Sequence, residues 1–99
     1  MKLPSKYKWK HKRKMGVSEL PWGTDKREQM LDPHHVWGAA NRKLSDHYDL
    51  VIYVTRAEHG EIEKDIEQRT KLRVIYRKKF EEQNPTLDFI GIFERRYGL

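Results

Sequence analysis

The sequence contains no cysteine, which excludes disulfide bonds and every metal site built from thiolates. It also lacks an apolar run of the ~18 residues that a membrane-spanning helix needs, so we expect no membrane span. The six glycines are scattered and form no phosphate-binding loop. No motif resembles a nucleophile with its base, and we therefore expect a protein that is not an enzyme and uses no cofactor.

Five histidines are the remaining candidates for metal ligands. We predict His34 and His35 on one helix, where adjacent side chains point about 100° apart and do not face one ion together. His47 falls too far along the same helix to help, and His59 falls on the next one. Because no zinc-type spacing connects these residues, we expect no metal site.

Negative charge is missing from the start of the chain. Residues 1–15 contain seven Lys or Arg and no acid, whereas residues 16–99 contain 14 basic and 15 acidic residues. A basic arm attached to a nearly neutral body therefore carries the net charge of +6. Since only 36% of the residues are hydrophobic, we expect a single small domain with a thin core.

The arm alternates cations with aromatic rings and lacks the apolar periodicity of a folded element. Cations neutralise phosphates, and aromatic rings stack on bases. We therefore predict that the arm binds RNA through Lys6, Tyr7, Lys8, Trp9, Lys10, His11, Lys12, Arg13 and Lys14. A nuclear address signal and a merely solubilising tail are the alternatives.

A second basic series consists of Arg69, Arg73 and Arg77, which repeat every four residues and form a ridge on one predicted helix. Arginine presents a planar fork that suits phosphate groups. We include these three residues in the predicted RNA site. The alternative is a ridge that is solvated or ion-paired.

We predict an all-α fold, beginning with a helix over 33–53. Asp32 and Pro33 are typical of a helix start, and apolar residues at three- and four-residue spacings continue to Tyr53. The competing interpretation makes Leu50–Val54 a strand, because this segment is rich in β-branched residues.

A second helix is predicted over 55–83. Thr55 with Glu58 is typical of a capping box, in which each residue binds the other's backbone N–H. The two helices would form a helical hairpin. The apolar stripe of the second helix contains Ile62, Ile66, Leu72, Tyr76 and Phe80.

A third, C-terminal helix is predicted over 85–97, with Asn84 as its N-cap, and a strand over 87–93 is the alternative. Before the hairpin, we expect a connector with a short helix over 24–31 and with Trp22 buried against the body. The predicted organisation is thus a basic arm and connector over 1–32 and a helical part over 33–99.

Several short motifs resemble those of the mitochondrial ribosome protein 63 family, small proteins of the large ribosomal subunit. They are Lys10-His11-Lys12-Arg13, His47-Tyr48, Tyr53-Val54-Thr55-Arg56, Lys79-Phe80, Pro85 and Phe89-Ile90. The resemblance implies a structural, non-catalytic subunit of a large assembly in the mitochondrial matrix, in contact with rRNA and neighbouring ribosomal proteins. A peripheral accessory subunit of a mitochondrial respiratory complex is the alternative from another class.

Overall fold

The computed structural model describes residues 6–38 and 41–97, and for residues 94–97 it describes the backbone alone. These residues form three antiparallel strands and four helices, so the fold is mixed α/β and the prediction of an all-α fold was wrong. In chain order the elements are β1 (Lys14–Gly16), β2 (Gln29–His35), α1 (Arg42–His47), β3 (Val51–Val54), α2 (Arg56–Lys64), α3 (Ile66–Gln83) and α4 (Phe89–Tyr97).

Strand β2 lies in the centre of the sheet, which has the order β1-β2-β3. Its first half pairs with β1, where Lys14 is opposite Leu31, and its second half pairs with β3, where His34 is opposite Ile52. Pro33 lies in the second half and has a strand neighbour on one side only, a position where a missing N–H is tolerated. The helix predicted over 24–31 was wrong, because its last residues belong to β2.

Helix α1 ends in a tight turn that directs the chain into β3. Asp49 has a φ of 60°, the left-handed conformation that usually follows the end of a helix. The N–H of Leu50 donates to the carbonyl oxygen of Ser45 at 2.7 Å, and the N–H of Asp49 donates to that of Asp46 at 3.2 Å. These two bonds form a Schellman motif, which satisfies the last carbonyl groups and stops the helix.

All four residues of β3 are buried, and they contribute to two hydrophobic cores. Val51 and Tyr53 pack with Leu31 on one face of the sheet, while the other face of β3 joins the main core. A strand that is buried on both faces is apolar throughout, so its residues also match the three- and four-residue apolar spacings expected of a helix. The helix predicted over 33–53 was therefore wrong, and the strand interpretation of its last residues was right.

The capping box at Thr55 is confirmed. The Glu58 N–H donates to Thr55 Oγ1 at 3.1 Å, and the Thr55 N–H donates to Glu58 Oε1 at 2.9 Å. Helix α2 begins at the next residue because these two bonds satisfy N–H groups that have no partner within the helix.

The single helix predicted over 55–83 is interrupted at Asp65. Its carboxylate accepts from the N–H groups of Glu67 and Gln68, so α3 begins with a cap of its own. The break shifts the register of the two helices relative to each other. Ile66, which we expected in the buried stripe, is therefore 59% exposed.

Helices α3 and α4 build the main core. Leu72, Tyr76 and Phe80 are buried, as the stripe predicted. Asn84 caps the end of α3, where its N–H donates to the Phe80 carbonyl oxygen at 2.8 Å, so its predicted role as the N-cap of the last helix was wrong. Helix α4 begins only at Phe89.

Aromatic rings from α3, α4 and the segment that follows β2 pack together in the main core. Phe89 and Phe93 stack with a centroid distance of 4.7 Å, and Trp37 approaches them at 5.0 and 5.6 Å. Trp22, which we expected to be buried, is 37% exposed and donates from Nε1 to Gln68 Oε1 at 3.0 Å. Over the described ranges 6–38 and 41–97, no helix has the length and apolar character that crossing a membrane requires.

Candidate nucleic-acid interface

The described part of the basic arm is held against the body by one buried carboxylate, that of Asp46 at the end of α1. Its Oδ2 accepts from the Tyr7 hydroxyl at 2.7 Å and from the Lys10 N–H at 2.6 Å. Its Oδ1 accepts from the His11 N–H at 3.1 Å and lies 3.1 Å from His35 Nε2. The arm is therefore fixed through two backbone N–H groups and the Tyr7 hydroxyl, which leaves Lys6, Lys8 and Lys12 exposed at the surface.

Asp46 holds the arm as an ion. Burial opposes the charged form, but the hydrogen bonds from Lys10, Tyr7, His35 and His11 outweigh it and keep the pKa of Asp46 below its usual value. Conversely, burial and the bond to Asp46 raise the pKa of Tyr7, whose hydroxyl remains a donor.

Asp49 adds a second, exposed attachment. Its Oδ1 lies 3.0 Å from Lys10 Nζ and 2.9 Å from His11 Nε2. The other ring nitrogen of His11 lies 3.0 Å from the Tyr53 hydroxyl. The arm anchor, as we call the contacts of Tyr7, Lys10 and His11 with Asp46 and Asp49, thus joins the start of the chain to the α1–β3 turn.

An open groove of about 540 Å³ lies between the arm, β2 and the starts of α1 and α2. Its lining contains four cations and one carboxylate, and so it carries a net charge of +3 with its histidines neutral. The residues that line it are Trp9, His11, Lys12, Arg13, Asp32, Pro33, His35, Arg42, Arg56 and His59. We call this feature the basic groove.

One aromatic ring of the groove is partly open to solvent. Trp9 is 36% exposed, and its ring lies edge-on to His35 with a centroid distance of 5.5 Å. The guanidinium carbon of Arg42 lies 5.5 Å from the Trp9 centroid. A base could stack on the exposed part of the ring, since every base has a π-face.

Asp32 orients two of the groove's cations. Arg13 Nε donates to its Oδ1 at 2.9 Å, and Arg56 Nε lies 3.8 Å from its Oδ2. Both arginine side chains remain more than half exposed. A guanidinium has five N–H donors, so each arginine retains donors for a phosphate.

The predicted arm residues have different environments. Lys6, Lys8 and Lys12 are exposed, whereas Lys10 pairs with Asp49. Lys14 Nζ lies over the ring of Tyr53, 4.0 Å from the centroid. Residues 1–5 of the predicted arm lie outside the described residues.

The arginine series of α3 lies outside the basic groove. Arg69 Nη1 donates to two backbone carbonyl groups at the end of α2, at 2.6 and 3.1 Å. Arg73 Nε donates to the Val36 carbonyl oxygen at 3.2 Å, and the Arg77 guanidinium lies 4.8 Å from the Phe89 centroid. The three side chains connect parts of the chain to one another.

Sequence reasoning missed two of the four cations of the groove, Arg42 and Arg56. Each is the first residue of a short helix, and neither belongs to a run of cations like that of the arm. Their partners Trp9 and Asp32 are 33 and 24 residues away in sequence. No local pattern could reveal them, since only the folded sheet brings these residues together.

The structure also gathers possible metal ligands. His34 from β2 and His59 and Glu63 from α2 offer ligand atoms that all lie within 4.8 Å of one another. Burial, together with the nearby His59, lowers the pKa of His34 to about 4. Our argument against a metal site assumed that His34 and His35 lie on a helix. This assumption was wrong, because both residues lie on a strand.

No family model, curated protein or solved structure matches this chain. The resemblance to a ribosomal family therefore stays a prediction, and the functional argument depends on the geometry of the groove.

Proposed function

We propose that this protein is a non-catalytic, RNA-binding subunit of a ribonucleoprotein particle and that the basic groove binds the RNA. The observation that supports this most directly is the position of Trp9. Its partly exposed ring lies in a groove whose other walls carry Lys12, Arg13, Arg42 and Arg56.

The cations and the aromatic ring of the groove bind different parts of the RNA. The lysine and arginines neutralise phosphates and release counterions, which gives an affinity that depends strongly on salt. The Trp9 ring stacks on a base, which adds affinity without demanding a particular sequence. Because the anchor fixes the arm before binding, little conformational entropy is lost when the RNA binds.

We further propose rRNA of the mitochondrial large ribosomal subunit as the RNA, with neighbouring ribosomal proteins as further partners in the matrix. The support for this finer assignment is the set of short motifs described above. Two of them, Lys10-His11-Lys12-Arg13 and Tyr53-Val54-Thr55-Arg56, supply groove residues.

A salt titration with matched charge variants tests RNA binding. We expect replacement of three groove cations by Gln to flatten the slope of log K against log[salt] by about 2 to 3, at roughly 0.7 to 0.9 per phosphate contact. The control removes three exposed cations from α2 and α3 and should change the slope by less than about 1. The groove variant is Lys12→Gln with Arg42→Gln and Arg56→Gln, and the control is Lys64→Gln with Lys71→Gln and Lys78→Gln.

Trp9→Ala separates stacking from charge. We expect an unchanged salt slope and a loss of about 1–3 kcal/mol of binding free energy, for a structured RNA of any sequence. Circular dichroism should show an intact fold. Equal slope changes in the groove and control variants, or no RNA affinity of the full chain at low salt, would refute the proposal.

The cellular assignment is tested by what co-purifies with a tagged full-length chain. We expect large-subunit rRNA and ribosomal proteins in stoichiometric amounts, and their loss in the groove variant. Recovery of respiratory-complex subunits without rRNA would favour the accessory-subunit alternative.

A further inference from the structure

His34 is a buried imidazole on the central strand of the sheet. It lies on β2 with 4% of its surface exposed, and neither ring nitrogen forms a hydrogen bond within the described residues. Buried polar groups are rarely left unsatisfied, and an exception points to an ion or a functional role. The Glu63 carboxylate oxygen Oε1 lies 3.6 Å from His34 Nδ1, beyond hydrogen-bond distance.

The neighbouring His59 faces a carboxylate at each ring nitrogen. Its Nδ1 lies 3.4 Å from Asp32 Oδ2, and its Nε2 lies 3.2 Å from Glu63 Oε1. A neutral imidazole has a single N–H and donates to only one of these oxygens. Both carboxylates are satisfied at once only if His59 carries a second proton or if a cation lies between the ring and one of them.

The spacing of the three side chains suits a metal ion. His59 and Glu63 are separated by four residues and share one face of α2, while β2 brings His34 alongside. In a tetrahedral site with bonds of about 2.0–2.1 Å, ligand atoms are roughly 3.3–3.4 Å apart. The two distances to Glu63 Oε1, 3.2 and 3.6 Å, lie close to this value, and the widest separation in the set stays within 4.8 Å.

We propose that His34, His59 and Glu63 form a binding site for a divalent transition-metal ion, with Zn²⁺ as the expected occupant. Two imidazole nitrogens and one carboxylate oxygen are a known Zn²⁺ ligand set that leaves the fourth position open. Mg²⁺ and Ca²⁺ are disfavoured because they prefer oxygen ligands. This inference goes beyond RNA binding and does not depend on it.

A cavity of about 200 Å³, lined in part by His34, Glu63, Arg69 and Arg73, adjoins two of the three proposed ligands. The cavity has room for water or a small anion. The two arginines add positive charge beside the metal, which favours an anionic fourth ligand over a neutral one.

Asp32 completes the site as a positioning residue. A metal-bound histidine usually donates its other N–H to a carboxylate, which fixes the tautomer and the ring orientation. Asp32 Oδ2 stands 3.4 Å from His59 Nδ1 and would leave Nε2 as the metal ligand. Asp32 and His59 also line the basic groove, so the two sites share residues.

Titration of the metal-depleted full-length chain tests the site. We expect one Zn²⁺ per chain by calorimetry, a rise in the midpoint of thermal unfolding, and visible absorption bands when Co²⁺ replaces Zn²⁺. Glu63→Gln should weaken Zn²⁺ binding by about 100-fold and abolish the thermal shift. Glu61→Gln removes an exposed carboxylate from the same helix and should leave both measurements unchanged.

Two more variants test the contribution of other residues to Zn²⁺ binding without replacing the buried His34. His59→Gln should weaken Zn²⁺ binding as strongly as Glu63→Gln. Asp32→Asn should cost about 10–100-fold through the orientation of His59 alone. The proposal is overturned if the wild-type chain binds no stoichiometric Zn²⁺, or if Glu63→Gln and Glu61→Gln behave alike.

Discussion

The chain has two series of cations that look similar in the sequence and behave differently in the fold. In the arm, it is mainly the backbone that is anchored, and Lys6, Lys8 and Lys12 extend from the surface. On α3, the guanidinium groups themselves make the contacts, as when Arg69 donates to two carbonyl oxygens. A basic residue is most available to a ligand where the fold leaves its charged group at the surface, or where, as in Arg13, an exposed guanidinium retains donors beyond its ion pair.

The difference also concerns what holds each region in place. The anchor depends on one buried carboxylate that accepts several hydrogen bonds, while α3 is held mainly by buried apolar side chains such as Leu72 and Phe80. Loss of a carboxylate leaves several buried donors unsatisfied at once. Apolar packing is distributed over many contacts, so a guanidinium at the border of the core contributes less to the stability of α3.

Removal of the anchoring carboxylate should have the largest effect. We expect Asp46→Ala to reduce the free energy of unfolding by about 3–5 kcal/mol, because it leaves buried donors without an acceptor. Urea unfolding measures the loss, and hydrogen exchange should show early opening of the Lys10 and His11 N–H groups. Asp49→Asn is the control: its carboxylate is exposed, so it should cost less than about 1 kcal/mol. Equal losses would refute the assignment of Asp46 as the main anchor.

Lowering the pH should weaken the same contact between Asp46 and the arm, with a smaller effect than the substitution of Asp46. The pKa of Asp46 is lower in the folded protein than in the unfolded chain, so its contribution is complete above the unfolded value near 4. This contribution declines as the pH falls below 4, through the folded pKa. The loss should be smaller than in Asp46→Ala because a protonated carboxyl still fills the site and accepts some bonds. Exchange of the Lys10 N–H against pH measures it, and Asp46→Ala should lack the transition.

The two series of cations can be compared directly with one variant in each. Arg69→Gln should cost about 1–2 kcal/mol of stability, because the charged donor to two carbonyl groups is lost, and should leave the affinity for RNA unchanged. Lys12→Gln should change stability by less than about 0.5 kcal/mol and weaken RNA binding. If Arg69→Gln instead reduced the salt slope of binding as much as Lys12→Gln, α3 would belong to the interface.

Among the substitutions expected to destabilise the fold, that in the capping box should have the smallest effect on stability. The box begins α2, a helix that contains neither of the two series of cations. Thr55→Ala should cost about 1 kcal/mol of stability because the Glu58 N–H loses its acceptor. Thr55→Ser retains the hydroxyl and should be nearly neutral. Both variants should leave RNA affinity unchanged. Chemical denaturation resolves the difference, and equal losses from Ala and Ser would show that the hydroxyl does not act as the cap.

Local features of the fold could be predicted from the sequence. The Thr55–Glu58 capping box and the buried stripe of Leu72, Tyr76 and Phe80 depend on residues three or four positions apart. Their geometry follows from the helical repeat. The cap at Asp65 shows half of this pattern: the Gln68 N–H donates to the Asp65 carboxylate, while Gln68 Nε2 donates to the same carboxylate and not to the Asp65 N–H. Asp65 with Gln68 three residues later could have been found in the same way.

The sheet and the functional sites were decided by tertiary structure. Strand β3 pairs with β2 some 20 residues away, and Asp46 binds arm residues 35 to 39 positions before it. Apolar periodicity could not separate a fully buried strand from a helix, because both are continuous apolar segments. The basic, aromatic arm and the charged helical segment that begins after Thr55 follow from the sequence alone. Which cations are exposed and which histidines lie close together depends on contacts between residues that are distant in sequence, and only the folded chain brings these residues together.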